Sequence, residues 1–132
     1  MNVAIAVMTW NRLPALQQIL TGLGKHCATH RTAIFEDAGT RDTTVSFLFS
    51  LAKGQEPIPH PELAAVHLRT KNTDVFLGTE NLGVSGNSNR AIQWFMEQTN
   101  CDYLCLCNDD LVVNGDFATF YSEAWAKTGI GL

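Results

Sequence analysis

Asp109 and Asp110 stand side by side directly after CDYLCLCN, a run with the apolar, aromatic and thiol composition of a buried strand. Adjacent like charges cost energy unless something positive sits between them. Acidic residues at strand ends, with no histidine or cysteine of ligand spacing nearby, suit a hard divalent cation with oxygen ligands. Mg2+ or Mn2+ keeps several waters and completes its shell with substrate phosphates, so the ligand expected here is a diphosphate. On that reading a dication neutralises the pair. The competing reading is a solvated turn, closed by Asn114-Gly115.

Three other segments carry chemistry. Thr9, Trp10, Asn11 and Arg12 follow the first apolar run, and Glu36 and Asp37 end the second. Trp10 could stack on a nucleobase or cover the sheet edge as a core residue. Arg12 and Arg90 could face phosphate or be solvated helix residues. In NLGVSGNSN, Gly83 and Gly86 either let backbone amides approach a phosphate at a helix N-terminus or serve as turn glycines. The segment is no Walker loop, for it lacks Gly-Lys-Ser/Thr. It is no dinucleotide fingerprint either, because the first strand turns into MTWNR rather than Gly-x-Gly. The four histidines have no motif around them.

These residues need elements to hold them. NVAIAVM is an uninterrupted apolar run, as in a strand covered on both faces. A helix follows, capped by Asn11, with Pro14 in its first turn and Leu13, Leu16, Ile19, Leu20 and Leu23 at helical spacing. Thr32 to Glu36 reads as a second strand, and Asp42 as the cap of a helix facing inward through Val45, Leu48, Phe49 and Ala52 and stopped by Gly54. The prolines of EPIPHPEL predict loop. Ala64 to Arg69 and Val75 to Gly78 are extended, and the next helix carries Ala91, Ile92, Phe95 and Met96 on its apolar face. Then come a strand from Asp102 to Cys107, a short extended LVV, and a helix from Asp116 with Phe117, Phe120, Tyr121, Ala124 and Trp125 in register. Strands separated by helices imply an α/β fold, a mostly parallel doubly wound sheet with helices on both faces. Ligands gather at the carboxyl ends of such strands, where the polar groups above collect.

Composition narrows the classes. With 132 residues, 45% of them hydrophobic, the chain makes one domain that buries roughly two thirds of its unfolded surface. A net charge of -4 and the lack of any basic run argue against a general nucleic-acid binder. No apolar stretch is long enough to cross a bilayer, so a cytoplasmic location, or the cytosolic face of a membrane, is expected. Cys105 and Cys107 alternate on one side of a strand, which suits neither a disulfide nor zinc; all four cysteines read as buried thiols.

Taken together, AIAVMTWNR, AIFEDAGTRDTT, ENLGVSGNSNRAI and YLCLCNDDLVV resemble, in that order, the motifs of the family 2 glycosyltransferases. These are nucleotide-diphospho-sugar transferases of the GT-A fold. The resemblance implies that Thr9 and Trp10 line the base pocket with Asn11 and Arg12 beside them. It gives Asp37 a hydrogen bond from the base, with Glu36 in place of the usual first aspartate. Asp109 would lie near the ribose or the metal, and Asp110 would bind Mn2+ or Mg2+. The segment from Asn81 to Asn89, with Gly83 and Gly86, would border the sugar diphosphate. Ala38-Gly39 replaces Gly-Ser with an extra residue before Asp42, and Asn108 stands where many members have aspartate.

The family also implies a second half that binds the acceptor and supplies the general base of an inverting displacement. AKTGIGL reads as a helix giving way to another strand, so residues 1–132 are expected to be the donor-binding part, truncated at the C-terminus, with no catalytic residue of their own. The expected partners are a nucleotide-diphosphate sugar and a saccharide, lipid-linked or protein acceptor. An unfinished sheet would expose an edge or apolar patch open to a second copy. The rival readings are a sugar-phosphate nucleotidyltransferase, whose glycine-rich first loop is missing, a phospho-acceptor domain, which would want its acid pair after the first strand, and a nucleotide-sugar or protein binding module without catalysis.

Overall fold

A computed structural model describes residues 2–70 and 72–129. Strands β1 (Val3–Thr9), β2 (Arg31–Glu36), β3 (Ile58–His60), β4 (Ala65–Arg69), β5 (Thr73–Gly78) and β6 (Tyr103–Asn108) form one sheet in the order β3-β4-β5-β2-β1-β6. β5, β2, β1 and β6 run parallel, while β4 pairs antiparallel with both β5 and β3. Helices α1 (Leu13–His26), α2 (Thr44–Leu51), α3 (Gly83–Gln98) and α4 (Phe117–Thr128) complete the fold. The further strand expected at the C-terminus falls on 130–132, outside the described residues.

The period-two alternation of the strands divides the core. Val3, Ile5, Val7, Ile34, Val75 and Leu77 point to one face, where Leu16, Ile19 and Leu23 of α1, Leu48 of α2 and Ala118 of α4 cover them. Ala4, Ala6, Ala33, Phe35 and Phe76 point to the other, under Ala91 and Trp94 of α3 and Leu63. The alanines on that face make room for large rings: Phe35 stacks on Phe76 at 5.0 Å and meets Trp94 edge-on at 5.7 Å. Helices therefore cover both faces, as a doubly wound sheet requires. Burial keeps Cys107 a neutral thiol: desolvation pushes its pKa up to about 12.

Several local expectations are corrected. The proline-rich stretch is not all loop. Ile58–His60 is an edge strand, where a proline costs no ladder bond, and Pro61–Leu63 forms a 3₁₀ turn. Leu111–Val113 joins no strand. In α2 Phe49 is exposed and Phe47 packs against the core instead. The inner face of α3 is Asn87, Arg90, Ala91 and Trp94, whereas Ile92 and Met96 are exposed. The indole of Trp94 takes the inner side, and the polar pair one turn earlier reaches the ends of the strands. α4 is capped as expected, the Asp116 carboxylate accepting from the Thr119 amide at 3.0 Å, but its aromatic stripe faces outward.

Candidate functional site

The chain leaves β1 toward β2 on one side and returns to β6 on the other, so the sheet's switch point lies between β1 and β6. A cleft of about 550 Å³ opens at the carboxyl ends of these strands, lined among others by Thr9, Trp10, Arg12, Asp37, Asp109 and Asp110. That is where open α/β sheets hold ligands. Across the switch point the Thr9 hydroxyl donates to Asp109 Oδ2 at 2.9 Å, and both residues are buried. The positive group between the carboxylates is Arg12, whose Nη1 lies 3.5 Å from Asp109 Oδ1 and 3.7 Å from Asp110 Oδ2. The adjacent pair is therefore partly neutralised by the protein's own side chain. Asp110 is exposed at the mouth and Asp109 sits beneath it.

The loops after β1 and β2 brace each other. Asn11 adopts φ 56°, a left-handed conformation that asparagine tolerates, and its Oδ1 accepts from the amides of Arg41 and Asp42 at 2.9 and 3.1 Å. Asn11 thus does not cap α1. Asp42 does so from the other loop, accepting from the Leu13 amide at 2.9 Å through Oδ2 and from the Thr44 amide at 3.0 Å through Oδ1. Trp10, 46% exposed, is held by its Nε1, which donates to Ala38 O at 3.2 Å. Its ring is presented to the cleft rather than packed into the core.

Glu36 lies beneath these loops and not on the cleft wall. Its carboxylate accepts from the Thr40 hydroxyl, and desolvation pushes its pKa up to about 7. Asp37, one residue on, does line the cleft. Its Oδ1 accepts from the Leu82 amide at 2.9 Å and from Arg90 Nη1 at 2.8 Å.

The glycine-rich segment is more helical than its composition suggests. α3 begins at Gly83, so Gly86 and Asn89 lie inside it, off the cleft wall. Gly86 is needed for packing, since a Cβ there would come within 2.4 Å of Leu82 Cβ. Asn81 spans the loop, donating to Ala38 O at 2.7 Å and accepting from the Gly83 amide at 3.0 Å. That amide is already satisfied. Asn81 and Gly83 still border the cleft, joined by Met8, Val84, Asn87 and Asn108. The signal for Asn87 was its spacing from Arg90, Ala91 and Trp94, which puts it on the inner face of α3.

Among the described residues no three histidine, cysteine, aspartate or glutamate side chains cluster to hold a metal. Asp109 and Asp110 are two carboxylates, the number a magnesium-type ion needs when phosphates and waters fill the rest of its shell. The donor set fits a hard dication on that condition.

Against known proteins, the fold finds a counterpart. A crystal structure of S. aureus TarS, residues 1–349, superposes with a TM-score of 0.64 over 98% of this chain. TarS is a family 2 glycosyltransferase, and the six-stranded sheet flanked by helices is accordingly a GT-A-like fold. Sequence identity is 13%, and the chain spans 33% of the TarS chain. No protein-family model matches the sequence, and no curated protein does. No helix among the described residues is long and apolar enough to cross a membrane.

Proposed function

We propose that this chain holds the donor site of a glycosyltransferase that moves a sugar from a nucleotide-diphosphate sugar to a saccharide, lipid-linked or protein acceptor. One observation carries the reading: Thr9, Trp10, Arg12, Asp37, Asp109 and Asp110, drawn from three strand ends, line one cleft at the switch point of a glycosyltransferase-like fold. In this reading Trp10 stacks on the base and Asp37 accepts a hydrogen bond from it. Asp110, with Asp109, holds Mn2+ or Mg2+, which supplies positive charge to the diphosphate. Arg12, exposed at the mouth and paired with both carboxylates, would yield them to the metal and add a second positive group for the phosphates. The acceptor side and the general base of an inverting transfer belong, in this reading, to polypeptide outside residues 1–132.

The test is the melting temperature with UDP, GDP, CMP and dTDP, each with and without Mn2+. A ligand at about a hundred times its dissociation constant stabilises by roughly 2.7 kcal/mol, a shift of several degrees. The expected result is a shift that requires both one nucleotide diphosphate and the metal and disappears in Asp110→Ala. A cooperative transition unmoved by every nucleotide would overturn the reading.

A further inference from the structure

We infer that Arg90 is a positioning residue that fixes the polarity of the base-facing atom of Asp37 and so sets which class of nucleobase the cleft accepts. The inference rests on the donor-site reading above. Arg90 is 3% exposed and does not line the cleft. Its Nε donates to Leu63 O at 2.7 Å, Nη1 to Asp37 Oδ1 at 2.8 Å and Asn87 Oδ1 at 3.2 Å, and Nη2 to Ala64 O at 3.1 Å and Glu80 O at 2.6 Å. A guanidinium has five N–H donors in a rigid fork, and here every nitrogen is engaged. The strand beside it leaves the space: a Cβ on Gly78 would come within 2.9 Å of Nη1 and 3.0 Å of Nη2. The fork can neither rotate nor turn toward a phosphate.

Asp37 is held accordingly. Its Oδ1 meets two donors, Arg90 Nη1 and the Leu82 amide, neither of which can ever accept a hydrogen bond. Whatever side chain of this shape stands at position 37 must place an acceptor there. Oδ2 is then the atom left for a ligand, and it accepts from no donor among the described residues. A carboxylate oxygen can only accept, so the base must bring an N–H to it. Uracil, thymine and guanine carry an N–H at the ring nitrogen of the Watson–Crick edge, whereas cytosine and adenine carry a lone pair there and keep their N–H on the exocyclic amine, so the selection follows for an Oδ2 that meets the ring position. The same geometry makes an unusual demand on Asp37→Asn. Its amide oxygen must turn to Arg90 and Leu82, which puts the NH2 into the cleft and reverses the polarity offered to the base.

Calorimetric titration with UDP and CDP in the presence of Mn2+, on the wild type and on Asp37→Asn, tests this. The wild type is expected to favour UDP by on the order of ten- to a hundredfold, and the variant to favour CDP, because a mispaired buried donor or acceptor loses its hydrogen bond and its solvation together. Equal affinity of the wild type for UDP and CDP would overturn the inference and leave the donor-site reading standing. So would a folded Asp37→Asn that keeps the preference for UDP. Binding of no nucleoside diphosphate at all would remove both. If Asp37→Asn does not fold, Arg90→Lys decides: a lysine cannot make five fixed contacts, and the UDP-to-CDP ratio should fall toward one while binding through the diphosphate persists. A residue of purely structural importance would lower the melting temperature without moving that ratio. Should both variants unfold, a wild-type ratio near one still overturns the inference.

Discussion

Burial pushes the Glu36 carboxyl up to about 7 because desolvation disfavours its charge; Asp37 adds to the effect, while the Thr40 hydroxyl and Arg90 oppose it. The unfolded chain loses this proton near the ordinary 4.5, so between that value and about 7 the native state binds more protons than the unfolded one. The stability contributed by this group is therefore full at low pH and falls by about 3 kcal/mol as pH rises through that window, after which it levels off. In Glu36→Gln thermal melts from pH 5 to 8 should lose this slope, with the variant gaining on the wild type at the alkaline end. At this scale the sequence was informative about the carboxylates and not about what neutralises them. Asp37, Asp109 and Asp110 end strands, a position legible from composition alone. That Arg12 reaches back to Asp109 across 97 positions depends on β1 and β6 being neighbours. Arg90 was harder still, since a lone arginine in a helix reads as solvated, and only the small and aromatic residues at 91 and 94 mark its face as the buried one.

Between elements, Asp42 joins the starts of two helices. It accepts from the first amide of α1 and the first of α2, and those hydrogen bonds lower its pKa, the Thr44 hydroxyl contributing most. Asp42→Ala leaves two helix-terminal amides without this acceptor and should cost about 1–2 kcal/mol, read as a fall in the midpoint of urea unfolding. Asp42→Asn, which keeps an acceptor oxygen, should retain part of it. Strand and helix order was legible because short uninterrupted apolar runs alternate with segments of period 3.6 here. Faces were not always: a helix buried on a polar contact, as α3 is at Asn87 and Arg90, defeats a reading by apolar spacing. The short β3 lay in a proline-rich stretch, and the antiparallel direction of β4, which follows that stretch, is set by the neighbouring sheet edge rather than by local propensity.

Over the molecule, the sheet of the described residues has an open side. Among those residues β6 pairs only with β1, and the aromatic stripe of α4 lies beside it, so that Leu106, Phe120, Tyr121 and Trp125 line a groove of about 1210 Å³ that no described residue covers. The periodicity of α4 was the clearest in the sequence, yet a pattern shows only that a face is apolar, never what covers it. Such a face, at the rim of a sheet edge, promotes association. Sedimentation velocity should show concentration-dependent self-association that Phe120→Lys with Trp125→Lys suppresses, while the melting temperature changes little because both rings are already exposed. A wild type that stays monomeric at every concentration would contradict this. The bond between Thr9 and Asp109 has a different consequence. It joins residues 100 positions apart, and Arg90 reaches Asp37 across 53, so the cleft exists only after the longest loops have closed. Contacts of that range carry a large loop-closure cost. A nucleotide that recognises only the assembled cleft has nothing to bind in a transition state where that cleft is unformed. It would leave the folding rate untouched and act by slowing unfolding, lengthening the lifetime of the native chain rather than hastening its birth.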